Sequence, residues 1–181
     1  MNTAEKIAAT YLRLNGFLLL PHFTTFNGNY HGHVDIVALR AANSQECLGD
    51  FIFPIDDAFW GIISGTLRTD AKKKFIGAIA EVKTGDEEEF PAPIHVDYIQ
   101  TFLGDAQCIK ISFSQLHDKS TFDYKSGTIC ISLTYAFKWI LSRFSKMDEQ
   151  KMRLTKDGSW TLSEDFLSEI LVFRKYKLFS S

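Results

Sequence analysis

The segment 79–83, Ile-Ala-Glu-Val-Lys, places two charged residues in an otherwise apolar run. In a β-strand, successive side chains point to opposite faces, so Glu81 and Lys83 would share one face. The flanking residues are apolar or small, which indicates a strand in the interior of a sheet. Charges at such a position are costly unless they are paired, bind a metal ion or face a cleft. The pattern therefore indicates a carboxylate and an ammonium with a chemical role.

Asp35 lies in a second apolar run, at 33–39. Its charge would likewise be costly to bury unless it is paired, binds a metal ion or faces a cleft. If the two strands are neighbours, Asp35 and Glu81 bring two carboxylates to one point. Hard divalent cations such as Mg²⁺ prefer oxygen ligands and retain several waters. We therefore expect Asp35 and Glu81, with the backbone carbonyl of Val82, to bind Mg²⁺, for which Mn²⁺ would substitute. Lys83 would then help to deprotonate an attacking water or stabilise charge that develops on a phosphate.

These acidic residues also have structural interpretations. Glu5 follows Asn2 by three residues, which is the spacing of a carboxylate that caps a helix. Glu81 and Lys83 could form a salt bridge on an exposed face, and Asp35 could face solvent at the end of a strand. A capping role for Glu5 and an active-site role are compatible with each other.

Two rival metal sites lie in the same half of the chain. Asp56 and Asp57, which follow Pro54, offer a rival metal-binding aspartate, with Asp56 in Phe-Pro-Ile-Asp at 53–56. The histidines His22, His31 and His33 cluster near Asp35, and His31-x-His33 is a candidate zinc pair. Solvated loop histidines are the alternative interpretation. Because His33 and Asp35 share a strand face by the two-residue period, His33 is also a candidate substrate contact.

The elements that would position these residues follow from hydrophobic periodicity. We predict strands over 17–21, 33–39, 75–84, 108–113 and 127–133, and helices over 3–15, 94–103, 134–147 and 162–175. Residues 27–29 are a turn signal, and the acidic stretch 85–93 is a predicted loop. We interpret the broken pattern at 41–74 as an insertion and 148–181 as a helical extension. The element order predicts one α/β domain over 1–181, with a mixed central sheet flanked by helices.

The order of these motifs resembles the PD-(D/E)XK nuclease superfamily, and within it the small branch similar to archaeal Holliday-junction resolvases. In that branch a helix that opens with Ala-Glu, here at 4–5, leads into a Gly-hydrophobic turn, here at 16–17. A Gly-x-x-Asp strand at 32–35 and a Glu-x-Lys strand at 81–83 complete the pattern. The resemblance covers 3–40 and 75–113. It implies a restriction-endonuclease-like core with an insertion between the two motif strands.

The resemblance also implies roles for individual residues. Asp35 and Glu81 would bind the metal ion, Lys83 would be the catalytic lysine, and Glu5 would be an accessory carboxylate. Gln100 stands on the helix where some members of the superfamily place a polar active-site residue. The implied activity is Mg²⁺-dependent endonucleolytic cleavage of DNA by a homodimer or with a protein partner. The alternatives are a nuclease-fold module that binds nucleic acid or a protein without cutting, and an α/β protein of unrelated role.

Composition limits how nucleic acid could be bound. The chain has 181 residues, a net charge of −2 and a pI of about 6.2. A domain that binds nucleic acid through its overall charge is usually basic, so a local patch is required. Lys138, Arg143 and Lys146, on a predicted helix, are candidates for such a patch.

Cysteine spacing and hydropathy bear on the cellular compartment. The three cysteines show no CxxC spacing, which argues against a disulfide framework and a structural zinc site. No apolar run is long enough to span a bilayer, so we expect no membrane association. The expectation is a cytoplasmic, intracellular protein.

Overall fold

A computed structural model describes residues 1–27, 30–48, 51–83, 93–114, 122–125 and 127–144. The helices are α1 (Thr3–Leu14), α2 (Asp57–Leu67), α3 (Pro93–Leu103) and α4 (Leu133–Phe144), with a short 3-10 helix at Ala71–Lys73. The strands are β1 (Leu18–Asn27), β2 (Tyr30–Arg40), β3 (Cys47–Leu48), β4 (Phe51–Ile52), β5 (Ile76–Lys83), β6 (Gln107–Ser114), β7 (Phe122–Lys125) and β8 (Thr128–Ser132). The predicted helix at 162–175 and the extension 148–181 lie outside the described residues, as do most of the turn at 27–29 and of the loop at 85–93.

Six strands form one mixed sheet in the order β1-β2-β5-β6-β8-β7, and β3 pairs separately with β4. β2 is antiparallel to both β1 and β5, whereas β6 is parallel to both β5 and β8. A parallel connection needs a crossover, and α3 lies in the chain between β5 and β6 to provide it. The predicted α/β architecture, a mixed central sheet flanked by helices, is confirmed.

The sheet is covered on both faces. Side chains of α1, α2 and α4 pack with Ile36, Ala38 and Ala80 in the larger core cluster. On the other face, α3 packs against Val37 and Ile79. β5 is therefore buried on both sides, which explains why its sequence is apolar except at the two charged positions. Within the described residues, no helix is long and apolar enough to cross a membrane.

The segment 41–74, which lies between β2 and β5 in the chain, builds part of the larger core. Five of its described apolar residues are 0–1% exposed: Phe53, Phe59, Trp60, Ile63 and Ala71. Arg40, at the end of β2, links the segment to the sheet by hydrogen bonds. Its guanidinium donates to the backbone carbonyls of Lys72 at 2.9 Å and of Ser44 at 3.0 Å. The same guanidinium lies 4.1 Å from the ring centre of Trp60. The segment that we interpret as an insertion thus contributes to the hydrophobic core of the domain.

Two strands differ from their predictions. The run at 17–21 predicted a short buried strand, but β1 has ten residues and lies at an edge of the sheet. Leu18 is 77% exposed and Leu20 is 42% exposed. β7, at the opposite edge, was not predicted. Edge strands have one neighbour and an incomplete cover, so their hydropathy pattern is less regular than that of a central strand.

Candidate functional site

Asp35 and Glu81 come together through the register of β2 and β5. The two strands are antiparallel and pair Val37 with Ile79 and Ile36 with Ala80. Asp35 and Glu81 occupy the next position along each strand, so the register places them side by side. The two carboxylates that the sequence predicts as metal ligands therefore meet, although a long segment separates them in the chain.

β2 is irregular at Asp35. The β1–β2 ladder pairs Pro21 with Ile36 and Phe23 with Val34, but it leaves out His22 and Asp35 between them. His22 has a φ of +54°, a left-handed conformation that is uncommon for residues with a side chain. The interruption coincides with the point at which the side chain of Asp35 acts as a hydrogen-bond acceptor for β5.

The acceptor role of Asp35 is specific. Its Oδ2 accepts a 2.8 Å hydrogen bond from the backbone N–H of Val82. Val82 thus contributes an N–H that fixes the orientation of the carboxylate. The predicted contact of the Val82 carbonyl with a metal ion stays a prediction.

Glu81 is the most buried acidic group of the site, at 5% exposure. Its Oε2 lies 3.6 Å from Nζ of Lys83, whereas its Oε1 is buried and has no hydrogen-bond partner. Burial, followed by the charge of Asp35, raises the pKa of Glu81 to about 7, and Lys83 only partly opposes this shift. A buried carboxylate with a free oxygen beside a second carboxylate is the kind of site that a cation stabilises.

The donor set fits a hard divalent cation. Mg²⁺ is commonly held by one or two carboxylates and keeps several of its waters, so Asp35 and Glu81 suffice. In the part of the chain that the structure describes, no group of three His, Cys, Asp or Glu side chains surrounds a common point. The arrangement is therefore compatible with a cation that completes its coordination with water and substrate.

A row of polar side chains extends from Asp35 toward α1. Nδ1 of His33 lies 3.7 Å from Oδ1 of Asp35, and Nε2 of His22 lies 3.8 Å from Oε2 of Glu5. The two imidazole rings are stacked, with centres 5.7 Å apart and planes inclined by 28°. The third histidine of the predicted cluster, His31, has a side chain outside the described part, so the zinc pair stays a prediction.

Glu5 caps α1. Its Oε2 accepts from the backbone N–H of Asn2 at 3.0 Å, and its own N–H donates to Oδ1 of Asn2 at 2.9 Å. This reciprocal pair is a capping box, so the structural interpretation of Glu5 is confirmed. Its link to the carboxylate pair runs through the two histidines, and its accessory role stays a prediction.

Gln100 is not brought to the carboxylate pair. It is exposed on α3 and hydrogen-bonds with Cys108. Cys108 is paired with Gly77, near the start of β5, whereas Glu81 and Lys83 lie near its end.

The predicted basic patch is only partly described. Lys138 is exposed on α4. Arg143 is half-buried, with its guanidinium 4.5 Å from the ring centre of Trp139. Lys146 lies outside the described residues. A role for these cations in nucleic-acid binding stays a prediction.

Asp56, the rival metal-binding aspartate, is a structural residue. Its Oδ2 accepts hydrogen bonds of 2.7 Å from the hydroxyls of both Tyr11 and Tyr135. Its Oδ1 accepts from the backbone N–H of Ala58 at 3.1 Å and so caps α2. Both oxygens of this buried carboxylate already have partners. These hydrogen bonds favour a structural role for Asp56 over a role as a metal ligand.

Comparisons of the chain with protein-family models, with curated proteins and with solved structures found no match. The assignment of a function consequently depends on the geometry around Asp35, Glu81 and Lys83.

Proposed function

We propose that the protein is a divalent-metal-dependent phosphodiesterase of the PD-(D/E)XK type, with a restriction-endonuclease-like core, and that it cleaves DNA. One observation carries the proposal. Glu81, on a strand buried on both faces, keeps a buried oxygen without a hydrogen-bond partner directly beside Asp35. A purely structural carboxylate at this depth would have both oxygens satisfied, as those of Asp56 are.

Each residue of the site has a role in this proposal. Asp35 and Glu81 hold the cation, and the N–H of Val82 keeps Asp35 in one orientation. When bound, Mg²⁺ or Mn²⁺ supplies Lewis-acid polarisation of the phosphoryl oxygens and a more acidic water. Lys83, with its ammonium 3.6 Å from Glu81, stabilises negative charge that develops on the phosphate. Glu5, through His22, is an accessory carboxylate.

A cleavage assay tests the proposal. The wild-type chain is incubated with linear, branched and single-stranded DNA in Mg²⁺ or Mn²⁺, beside Glu81→Gln and Lys83→Met. We expect cleavage by the wild type and a loss of about 100-fold or more in each variant. Lys73→Met is the matched control, because Lys73 is 72% exposed on the 3-10 helix, and it should cut normally. Undiminished cleavage by Glu81→Gln or Lys83→Met would contradict the assignment.

A second candidate function is binding without catalysis: the chain would be a nuclease-fold module that binds nucleic acid or a protein partner but does not cut. It is favoured by the net charge of −2, which is unusual for a protein that binds and cleaves DNA. Isothermal titration calorimetry separates the two functions. Binding of Mn²⁺ by the wild type and its loss in Asp35→Asn favour the nuclease. No heat of binding in either protein favours the module.

A further inference from the structure

His22 holds a backbone conformation that its surroundings impose. Its φ of +54° lies in the middle of β1, where an extended residue would continue the ladder. Residues with a Cβ in this region carry strain, and such residues concentrate at binding and catalytic sites. The conformation places the imidazole of His22 against that of His33 and beside Glu5. The left-handed conformation of His22 therefore occurs together with the ring pair.

The ring pair is partly exposed to solvent, and a carboxylate lies near each ring. The side chains of His22 and His33 are 45% and 53% exposed. One nitrogen of each ring faces a carboxylate, that of Glu5 or that of Asp35, at less than 4 Å. These carboxylates lie at ring nitrogens, and the two rings stack on each other. The result is a half-exposed pair of stacked imidazoles beside Asp35, on which a further flat ring could continue the stack.

The charges around this surface decide what it can bind. A phosphate placed on the imidazole of His22 would lie close to Glu5, whose negative charge would repel it. A nucleobase carries no charge and has a π-face that stacks on aromatic rings, including those of histidine. A base inside a duplex is already stacked and paired, so only an unpaired base has a free face to offer.

We infer that His22 and His33 form a stacking platform for an unpaired nucleobase next to the phosphate that is cleaved, so that the substrate is single-stranded or locally unpaired nucleic acid. This inference rests on the proposed function, whose substrate it narrows. It also accounts for recognition by a chain with a net charge of −2, because stacking does not require a basic surface. The two histidines position the strand, and Asp35, Glu81 and Lys83 perform the chemistry.

Binding measurements test the inference. Fluorescence anisotropy with a labelled oligonucleotide, single-stranded or as a blunt duplex of the same sequence, is recorded in Ca²⁺ to separate binding from cleavage. We expect the wild type to prefer the single strand. His22→Ala/His33→Ala should bind the single strand about five- to one-hundred-fold more weakly, which is the range for loss of one base stack. His22→Phe/His33→Phe, which retains two aromatic rings, should recover most of the affinity.

Two further variants address folding and specificity. His22→Gly removes the ring and relieves the left-handed strain, so it should unfold at a higher temperature while it binds the single strand more weakly. Tyr124→Ala is the matched control, since it removes a 53% exposed aromatic ring from β7, at the opposite edge of the sheet. Its affinity should equal that of the wild type.

The outcomes separate the platform from the proposed function. If the wild type cleaves DNA and the alanine and glycine variants bind the single strand as tightly as it does, the platform is wrong and the nuclease stands. If the phenylalanine variant binds as weakly as the alanine variant, the ring nitrogens are required and stacking is wrong. If the wild type neither binds nor cleaves any nucleic acid, the proposed function itself fails. Tight binding of a protein partner that the alanine variant loses would assign the surface to that partner instead.

Discussion

The backbone N–H of Val82 donates a 2.8 Å hydrogen bond to Oδ2 of Asp35, which lies 47 positions earlier in the chain. The bond joins β2 to β5 just beyond the last ladder pair, Ile36 with Ala80. Asp35 therefore helps to hold two strands together while its other oxygen, Oδ1, remains near His33. The structural role of Asp35 should be separable from its chemical role. A neutral side-chain oxygen can accept the hydrogen bond from Val82, whereas binding a cation requires the negative charge.

Asp35→Asn and Asp35→Ala should have different effects on stability. Asn retains a side-chain oxygen for the N–H of Val82, so its free energy of unfolding should stay within about 1 kcal/mol of the wild type. Ala leaves that N–H without its partner and should cost about 1–3 kcal/mol. Both variants should lose Mn²⁺ binding, because both remove the charge. Urea unfolding and calorimetry measure the two effects, and equal stability of the variants would refute the role of the hydrogen bond.

Glu81 should make the metal-free protein less stable at alkaline pH. Its pKa is raised from 4.5 to about 7, first by burial and then by Asp35, so the folded state binds this proton more tightly than the unfolded chain does. The resulting stabilisation is complete below about pH 4.5 and is lost as the pH rises through about 7. Above that pH the native state carries an unfavourable buried charge.

Glu81→Gln should therefore stabilise the protein at pH 8 in the presence of EDTA. We expect a gain of roughly 1–3 kcal/mol over the wild type at pH 8 and a much smaller difference at pH 5. Thermal or urea unfolding at both pH values measures this. Excess Mg²⁺ should reduce the difference at pH 8, since it stabilises only the protein that binds it. A difference independent of pH would show that the charge of Glu81 is not the cause.

Glu5 can be tested for its two roles with one pair of variants. Gln at this position preserves a capping box and Ala removes it, so Glu5→Ala should cost about 0.5–2 kcal/mol and Glu5→Gln much less. If Glu5 acts only as a cap, cleavage by Glu5→Gln should match that of the wild type. If it is an accessory carboxylate, cleavage should fall in both variants. Unfolding curves and initial cleavage rates together distinguish the cases.

The sequence predicted the parts of the fold that leave a periodic pattern. β5 is buried on both faces, so its apolar run with Glu81 and Lys83 could be recognised as a central strand. The helix α1 could also be predicted, from the periodic spacing of its buried apolar residues and from the capping residues at its start. Local periodicity and capping chemistry are encoded by residues close in the chain, and such features are predictable one segment at a time.

Features that depend on pairing between distant segments were not predictable in this way. The register that sets Asp35 beside Glu81 pairs two strands that the segment 41–74 separates in the chain, and no local hydropathy pattern reveals that pairing. The left-handed φ of His22 interrupts a strand without altering its hydropathy. Asp56 looked like a candidate ligand because its two tyrosine partners come from other parts of the chain, at positions 11 and 135.

The buried group around Asp56 offers a test of stability that should leave the proposed chemistry intact. Asp56 is 3% exposed and accepts from Tyr11, Tyr135 and the first turn of α2, so it joins that helix to α1 and α4. Tyr11→Phe removes one of these bonds and should cost about 0.5–1.5 kcal/mol. Asp56→Ala leaves two tyrosine hydroxyls and a helix terminus unsatisfied, and should cost about 2–4 kcal/mol.

Because the group is separate from Asp35 and Glu81, Mn²⁺ affinity measured on the folded variants should equal that of the wild type. Loss of Mn²⁺ binding in folded Asp56→Ala, with Asp35→Asn still able to bind, would move the metal site to Asp56.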